Sequence, residues 1–159
     1  MIVIGYVFKA NLGSLISSKE NNIITESEII SNLVEDCINQ RAIDAIRIVG
    51  LQGGYVNLPA NYFATNISNV AYGYYDGKNT LASKFKIEKE ISYYVEQSIP
   101  FCIEEEFNNF KITKQKPNIT AKINLDSVSI LARMPISIEK ENKVLIMKNN
   151  YKIEIPIRI

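Results

Sequence analysis

The sequence predicts an α+β protein: two long antiparallel helices, a small Tyr-rich hairpin between them, and an antiparallel β-meander at the C-terminus. Three observations predict it. Apolar residues recur at helical spacing from Ile30 to Val49, they do so again from Ile87 to Phe107, and after Lys116-Pro117 the period falls to two. With 159 residues, 47% of them apolar, the chain suits one domain with a real core. That domain is expected over residues 23–159, with 1–22 as a separate N-terminal segment.

The first stretch, "MIVIGYVF", is apolar for about eight residues, well short of the ~20 that a membrane span needs. It lacks the tripartite pattern of a signal peptide. It reads either as a short element packed on the domain or as the outer end of an anchor helix whose beginning lies outside this chain. Ser17 to Asn22, "SSKENN", reads as a loop. Thr25 and Glu28 then fit a capping box at a helix start. Ile30, Leu33, Val34, Cys37, Ile38, Ala42, Ala45, Ile46 and Val49 form one stripe, so a helix is expected from Glu26 to Leu51, roughly 38 Å long.

"LQGGYVNLP" follows. Gly53 or Gly54 suits the left-handed position that closes a helix. Tyr55 to Leu58 alternates like a short strand and stops at Pro59, and the glycine spacing matches neither a dinucleotide fingerprint nor a P-loop. "NVAYGYYDGKN" predicts a strand ending in a turn at Asp76-Gly77. A second helix is expected from Ser83 to Phe110, kinked or split at Pro100.

The rest predicts about four antiparallel strands. Ile119 to Ile123 alternates, Asp126-Ser127 turns, and Val128 to Ile138 alternates again through Pro135. Glu141-Asn142 turns, Val144 to Met147 is a continuous apolar strand, and Asn149-Asn150 is a hairpin signal before Tyr151 to Ile157. The apolar end of this last strand suggests that a natural chain or a partner strand continues past Ile159.

Composition excludes several chemistries. There is no His, which removes Ser–His–Asp and Cys–His sites and His-based zinc sites. The net charge of +1, with signs interspersed, leaves no basic stripe for nucleic acid. Glu104-Glu105-Glu106 diverge around a helix and do not converge on one cation, so no metal and no cofactor is expected. The sequons Asn66-Ile67-Ser68 and Asn118-Ile119-Thr120 are as many as chance supplies in a chain this rich in Asn, Ser and Thr. Cys37 and Cys102 lie on the stripes of the two helices. They read as a disulfide, if the helices pair, or as two buried thiols in a reducing compartment.

Tyr55, Tyr62, Tyr72, Tyr74, Tyr75, Tyr93 and Tyr94 crowd the middle third. They read either as packing and strand propensity or as an aromatic contact surface, in which Tyr72, Tyr74 and Tyr75 are the candidate partner-binding residues.

Three stretches, "LVEDCINQRAIDAIRIVGLQGGYVNLP", "VAYGYYDGKN" and "EISYYVEQSIPFCIEEEF", followed by an alternating region, resemble a group of uncharacterised proteins from small-genome archaea. In that group one N-terminal membrane helix holds an extracytoplasmic domain outside the cell. The resemblance covers roughly residues 33–138. It implies a surface location, a Cys37–Cys102 bridge and "MIVIGYVF" as the end of an anchor, and it brings no catalytic residues. The expectation is an extracytoplasmic, non-catalytic interaction or assembly domain at a cell surface, with a protein or surface polymer as partner. The alternative is a carboxylate-based hydrolase of surface polymers. It requires two of Asp36, Asp44, Asp76, Glu88 and Glu90 to face one cleft.

Overall fold

A computed structural model describes residues 4–107, 109–140 and 143–157, and the side chains from residue 27 onward except that of Lys143. The described residues form an α+β molecule, with two small hairpins between its two α-helices and the remaining antiparallel strands after them.

Helix α1 runs from Ile4 to Leu51 as 48 continuous residues, about 72 Å at 1.5 Å each. This corrects the expected loop at residues 17–22 and the helix start at Thr25 and Glu28. The stretch "SSKENN" is polar but holds neither Gly nor Pro, so nothing in it stops a helix. With helix already present ahead of Thr25, the N–H groups there meet carbonyls one turn back, and a capping box has nothing to cap. Met1 to Val3 of the "MIVIGYVF" stretch lie outside the described residues. The described buried face begins at Ile30 and continues through Val34, Cys37, Ile38, Ala42 and Ala45 to Val49.

Helix α2 spans Lys84–Ser98, with Ser83 as N-cap accepting the Lys86 N–H at 3.2 Å. It ends in a 3-10 turn at Ile99–Phe101, where Pro100 denies the helix a donor. The expected helical continuation to Phe110 is instead a hairpin. β5 (Glu106–Phe107) pairs with β6 (Phe110–Lys114), and Asn109 takes the left-handed conformation at φ 66°. An apolar residue every three or four positions from Ile99 to Phe107 mimicked a helix stripe, but the chain had already turned at the proline.

Five further strands follow: β7 (Asn118–Ile123), β8 (Ser127–Arg133), β9 (Ile136–Lys140), β10 (Lys143–Ile146) and β11 (Asn150–Pro156). They form two antiparallel sheets, ordered β11-β8-β7 and β10-β9-β6-β5. The expected meander is present in outline, but its strands are three long ribbons, each bent once. The bends fall at residues 115–117, 134–135 and 147–149, where Pro117 and Pro135 interrupt regular pairing. Backbone bonds still cross the corner: Gln115 N–H donates to Pro135 O at 3.1 Å, Met134 N–H to Asn149 O at 2.9 Å, and Met147 N–H to Ile136 O at 2.8 Å. Lys114 stands opposite Ile136 and Asn118 opposite Arg133, so the first ribbon carries one extra residue through the bend. The turn expected at Glu141-Asn142 and the last two residues, Arg158 and Ile159, lie outside the described residues.

The inner faces bury Phe110, Ile112, Val128, Ile130, Ile136, Ile138 and Tyr151. Helix α2 packs on β7 and on α1, and α1 also touches β11. The helices run antiparallel. Gly54, just past the end of α1, abuts Ala82 and Ile87 at the start of α2, while Cys37 meets Cys102 just past its end.

Candidate functional site

The end of α1 is built by its glycines. Gly54 N–H donates to Val49 O at 2.7 Å, with Gly53 left-handed at φ 73° between them. That is a Schellman closure. Gly54 is also left-handed, and a Cβ there would stand 2.6 Å from the Ala82 Cβ. The pair of glycines thus turns the chain and lets the start of α2 approach the end of α1.

Residues 55–58 are not the expected strand. The N–H groups of Val56 and Asn57 donate to Glu90 Oε2 at 2.9 and 3.1 Å, so a side chain of α2 takes the place of a strand partner. The chain then makes two small hairpins. In the first, β1 (Tyr62–Ala64) pairs with β2 (Asn69–Ala71). Thr65 Oγ1 accepts the N–H groups of Ile67 and Ser68 at 3.2 and 3.0 Å and shapes its tip. In the second, β3 (Tyr74–Tyr75) pairs with β4 (Lys78–Asn79). Asp76 and Gly77, at φ 49° and 73°, form the tight turn that suits a two-residue hairpin.

Thr80 locks the second hairpin to the domain. Its N–H donates to Gly73 O at 3.0 Å, its hydroxyl donates to Tyr72 O, and its own carbonyl accepts from the Tyr55 hydroxyl at 3.2 Å. Tyr72 is half-buried and stacks on Tyr75, with ring centres 5.3 Å apart. Tyr74 is 68% exposed and Tyr75 43%. Tyr62, Phe63, Leu81 and Phe85 are exposed in the same connection or at the start of α2. Of these, Tyr62 belongs to the tyrosine cluster that the sequence offered as a contact surface, while Phe63, Leu81 and Phe85 were not marked. Phe85 carried a usable signal, since it lies off the Ile87–Ile91–Val95 stripe. Lys86 sits 5.6 Å from the Tyr55 ring centre and Lys89 5.3 Å from that of Phe85.

The candidate carboxylates are placed apart. Glu88 and Glu90, both buried, are two residues apart on α2 and serve different segments. Glu88 Oε1 accepts the Ile123 N–H at 3.0 Å, and its Oε2 stands 3.5 Å from Lys122 Nζ. Glu90 holds Val56 and Asn57, and its Oε1 pairs with Lys86 at 2.7 Å. Burial pushes the Glu90 carboxyl up, but the Lys86 hydrogen bond and the two backbone donors outweigh it and hold the group below its ordinary 4.5. The same contact raises Lys86 above 10.5. Asp44 pairs with Arg41 at 3.3 Å, Asp36 is exposed on α1, and Asp76 belongs to the hairpin turn.

Cys37 and Cys102 stand at disulfide distance, with Cα atoms 6.0 Å apart. Beside them an apolar cleft of about 230 Å³ is lined by Ile30, Leu33, Val34, Ile103, Phe107 and Ile112. Glu104, Glu105 and Glu106 line an adjoining open cleft with Lys111 and Lys114, and Glu104 and Ile112 border both clefts. Among the described residues no group of three acidic or Cys side chains is placed to hold a metal ion, and no helix is long and apolar enough to cross a membrane. Comparison with protein-family models, curated proteins and solved structures finds no match.

Proposed function

We propose that this chain is an extracytoplasmic, non-catalytic interaction domain of a cell-surface protein, and that it engages a protein or surface polymer through Tyr72, Tyr74 and Tyr75. The observation that carries this reading is the exposed β3–β4 hairpin. Two tyrosines stand out at one end of the helix pair on a turn held rigid by Thr80. Tyr offers large contact area with a polar tip at little entropic cost when its backbone is already fixed. The cysteine pair at the other end suits an oxidising exterior. Helix α1 itself extends about 72 Å from its start to the end that leads into the hairpins. An anchor at that start, as the archaeal resemblance implies, would leave the aromatic end farthest from the membrane. Glu88 and Glu90, already occupied by backbone donors, favour this reading over hydrolysis.

The test compares the oxidised wild type with Tyr74→Ala/Tyr75→Ala for binding to isolated archaeal cell envelopes. Binding that falls about tenfold at unchanged thermal midpoint supports the reading, since exposed side chains contribute little to folding. Unchanged binding, or a lowered midpoint, removes the hairpin from that role.

A further inference from the structure

Four strand edges bound the two sheets, and three of them are guarded. β7 is covered by α2: Ala121 N–H donates to Ser92 Oγ at 2.9 Å and Ile123 N–H to Glu88 Oε1 at 3.0 Å. β11 lies against α1 and carries Lys152, Glu154 and Pro156. β5 is two residues long and charged at Glu106. Short strands, charges, prolines and covering helices are the devices that keep edges from pairing.

β10 is a short strand, Lys143–Ile146, charged at its first residue, but Val144-Leu145-Ile146 themselves carry neither charge nor proline. It ends the strand order β10-β9-β6-β5, so its outward backbone groups have no strand partner among the described residues. Val144 and Ile146, on the face shared with Glu139 and Ser137, are 65% and 74% exposed. Leu145 continues the inner row of Ile112 and Ile138. Those two are buried, yet Leu145 is 38% exposed because the row stops there uncovered.

We propose that β10 is a self-association edge, where a second copy of this chain adds its own β10 antiparallel about a two-fold axis at Leu145. The register follows from two constraints. Met147 N–H faces β9, so by alternation Leu145 N–H does too, and the N–H and C=O groups of Val144 and Ile146 face outward. Only residues that face outward can exchange hydrogen bonds. A two-fold at Leu145 uses both of them, with Val144 opposite Ile146 of the second copy and Leu145 opposite its own counterpart. A two-fold at Val144 or at Ile146 would instead pair the other aliphatic with Asn142 or Lys148. The Leu145 register also keeps faces together: the outer aliphatics meet each other and the inner leucines close the open row. A slip of one residue in either direction would set outer Val144 or Ile146 against inner Leu145. A foreign strand of unspecified sequence meets no such matched set of constraints.

Sedimentation equilibrium of the full chain tests this. A reversible monomer–dimer equilibrium is expected, weakened about 100-fold or more by Val144→Lys/Ile146→Lys, which sets like charges opposite each other across the axis. Ile146→Pro removes only an outward donor and should act in the same direction. The register has its own readout. Opposed leucines in a non-hydrogen-bonded pair place Cα atoms ~4.5 Å apart, within disulfide reach. Leu145→Cys should therefore oxidise to a covalent dimer, whereas Val144→Cys alone should not. A chain that stays monomeric up to about 1 mM overturns the proposal. So does a dimer that ignores these substitutions, or one that links through Val144→Cys in preference to Leu145→Cys.

Discussion

Glu90 Oε2 accepts the backbone N–H of Val56 at 2.9 Å, and through this bond a buried side chain of α2 holds the chain leaving α1. A buried carboxylate is costly unless its oxygens are satisfied. Here Lys86 takes one oxygen and two backbone donors take the other.

The sign of the pH dependence follows from the depressed Glu90 carboxyl. Its contribution is fully present above the unfolded value of 4.5 and is lost as pH falls through the lower folded value. Wild-type stability should therefore decline between about pH 5 and 3, and Glu90→Gln should show a shallower decline over that window. At neutral pH Glu90→Ala should cost about 1–3 kcal/mol, because Val56 and Asn57 lose their acceptor. Urea denaturation at several pH values measures both. Identical slopes for wild type and Glu90→Gln would mean that other carboxylates govern acid unfolding.

Ser92 and Glu88 act on β7 as a strand would. Their oxygens stand one turn apart on α2 and match the alternate N–H groups of Ala121 and Ile123. Ser92→Ala should leave the Ala121 N–H without an acceptor and cost about 1–2 kcal/mol. The sharper readout is amide exchange. Protection of Ala121 should fall in Ser92→Ala and that of Ile123 in Glu88→Ala, each without loss at Ile130 on the central strand β8. Uniform loss across the sheet would show that α2 shields the edge by packing rather than by these bonds.

Periodicity made the helices and the ribbons legible, because an apolar stripe must face a core whatever the tertiary detail. Asp76-Gly77 was legible for a local reason: both residues tolerate the left-handed conformation that a two-residue hairpin needs. What failed was punctuation. "SSKENN" looked like a loop on polarity alone, yet a helix stops for want of hydrogen bonds or at a breaker, and it holds none. Ile103 and Phe107 kept a helix-like spacing beyond Pro100 while lying in a turn and an edge strand. The roles of Glu88 and Glu90 were out of reach for another reason. Their partners are backbone groups 33 to 35 residues away, and a backbone N–H leaves no mark in the residue string.

The Cys37–Cys102 pair closes a loop of 65 residues and joins the C-terminal third of α1 to the residue that caps the 3-10 turn. At the opposite end the helices are already tied by the Schellman closure, the Gly54 contact and Glu90. The cysteine pair is therefore the tie for the cleft end, where the described part of α1 begins its buried face at Ile30. Opening it should free more chain than any single packing contact restrains. In the chain-entropy model a loop of this length is worth roughly 4 kcal/mol. Cys37→Ala/Cys102→Ala should lose about that much in guanidinium denaturation, and dithiothreitol should lower the wild type to the same midpoint while leaving the variant unmoved. The loss should be local first. Amide exchange should quicken around Val34, from Ile30 to Ile38 of α1, before it does at Val49, because the glycine end keeps its own bonds. A loss below about 1 kcal/mol would instead mean that the thiols pack as well apart as joined, and would remove the main physical reason to place this domain in an oxidising exterior.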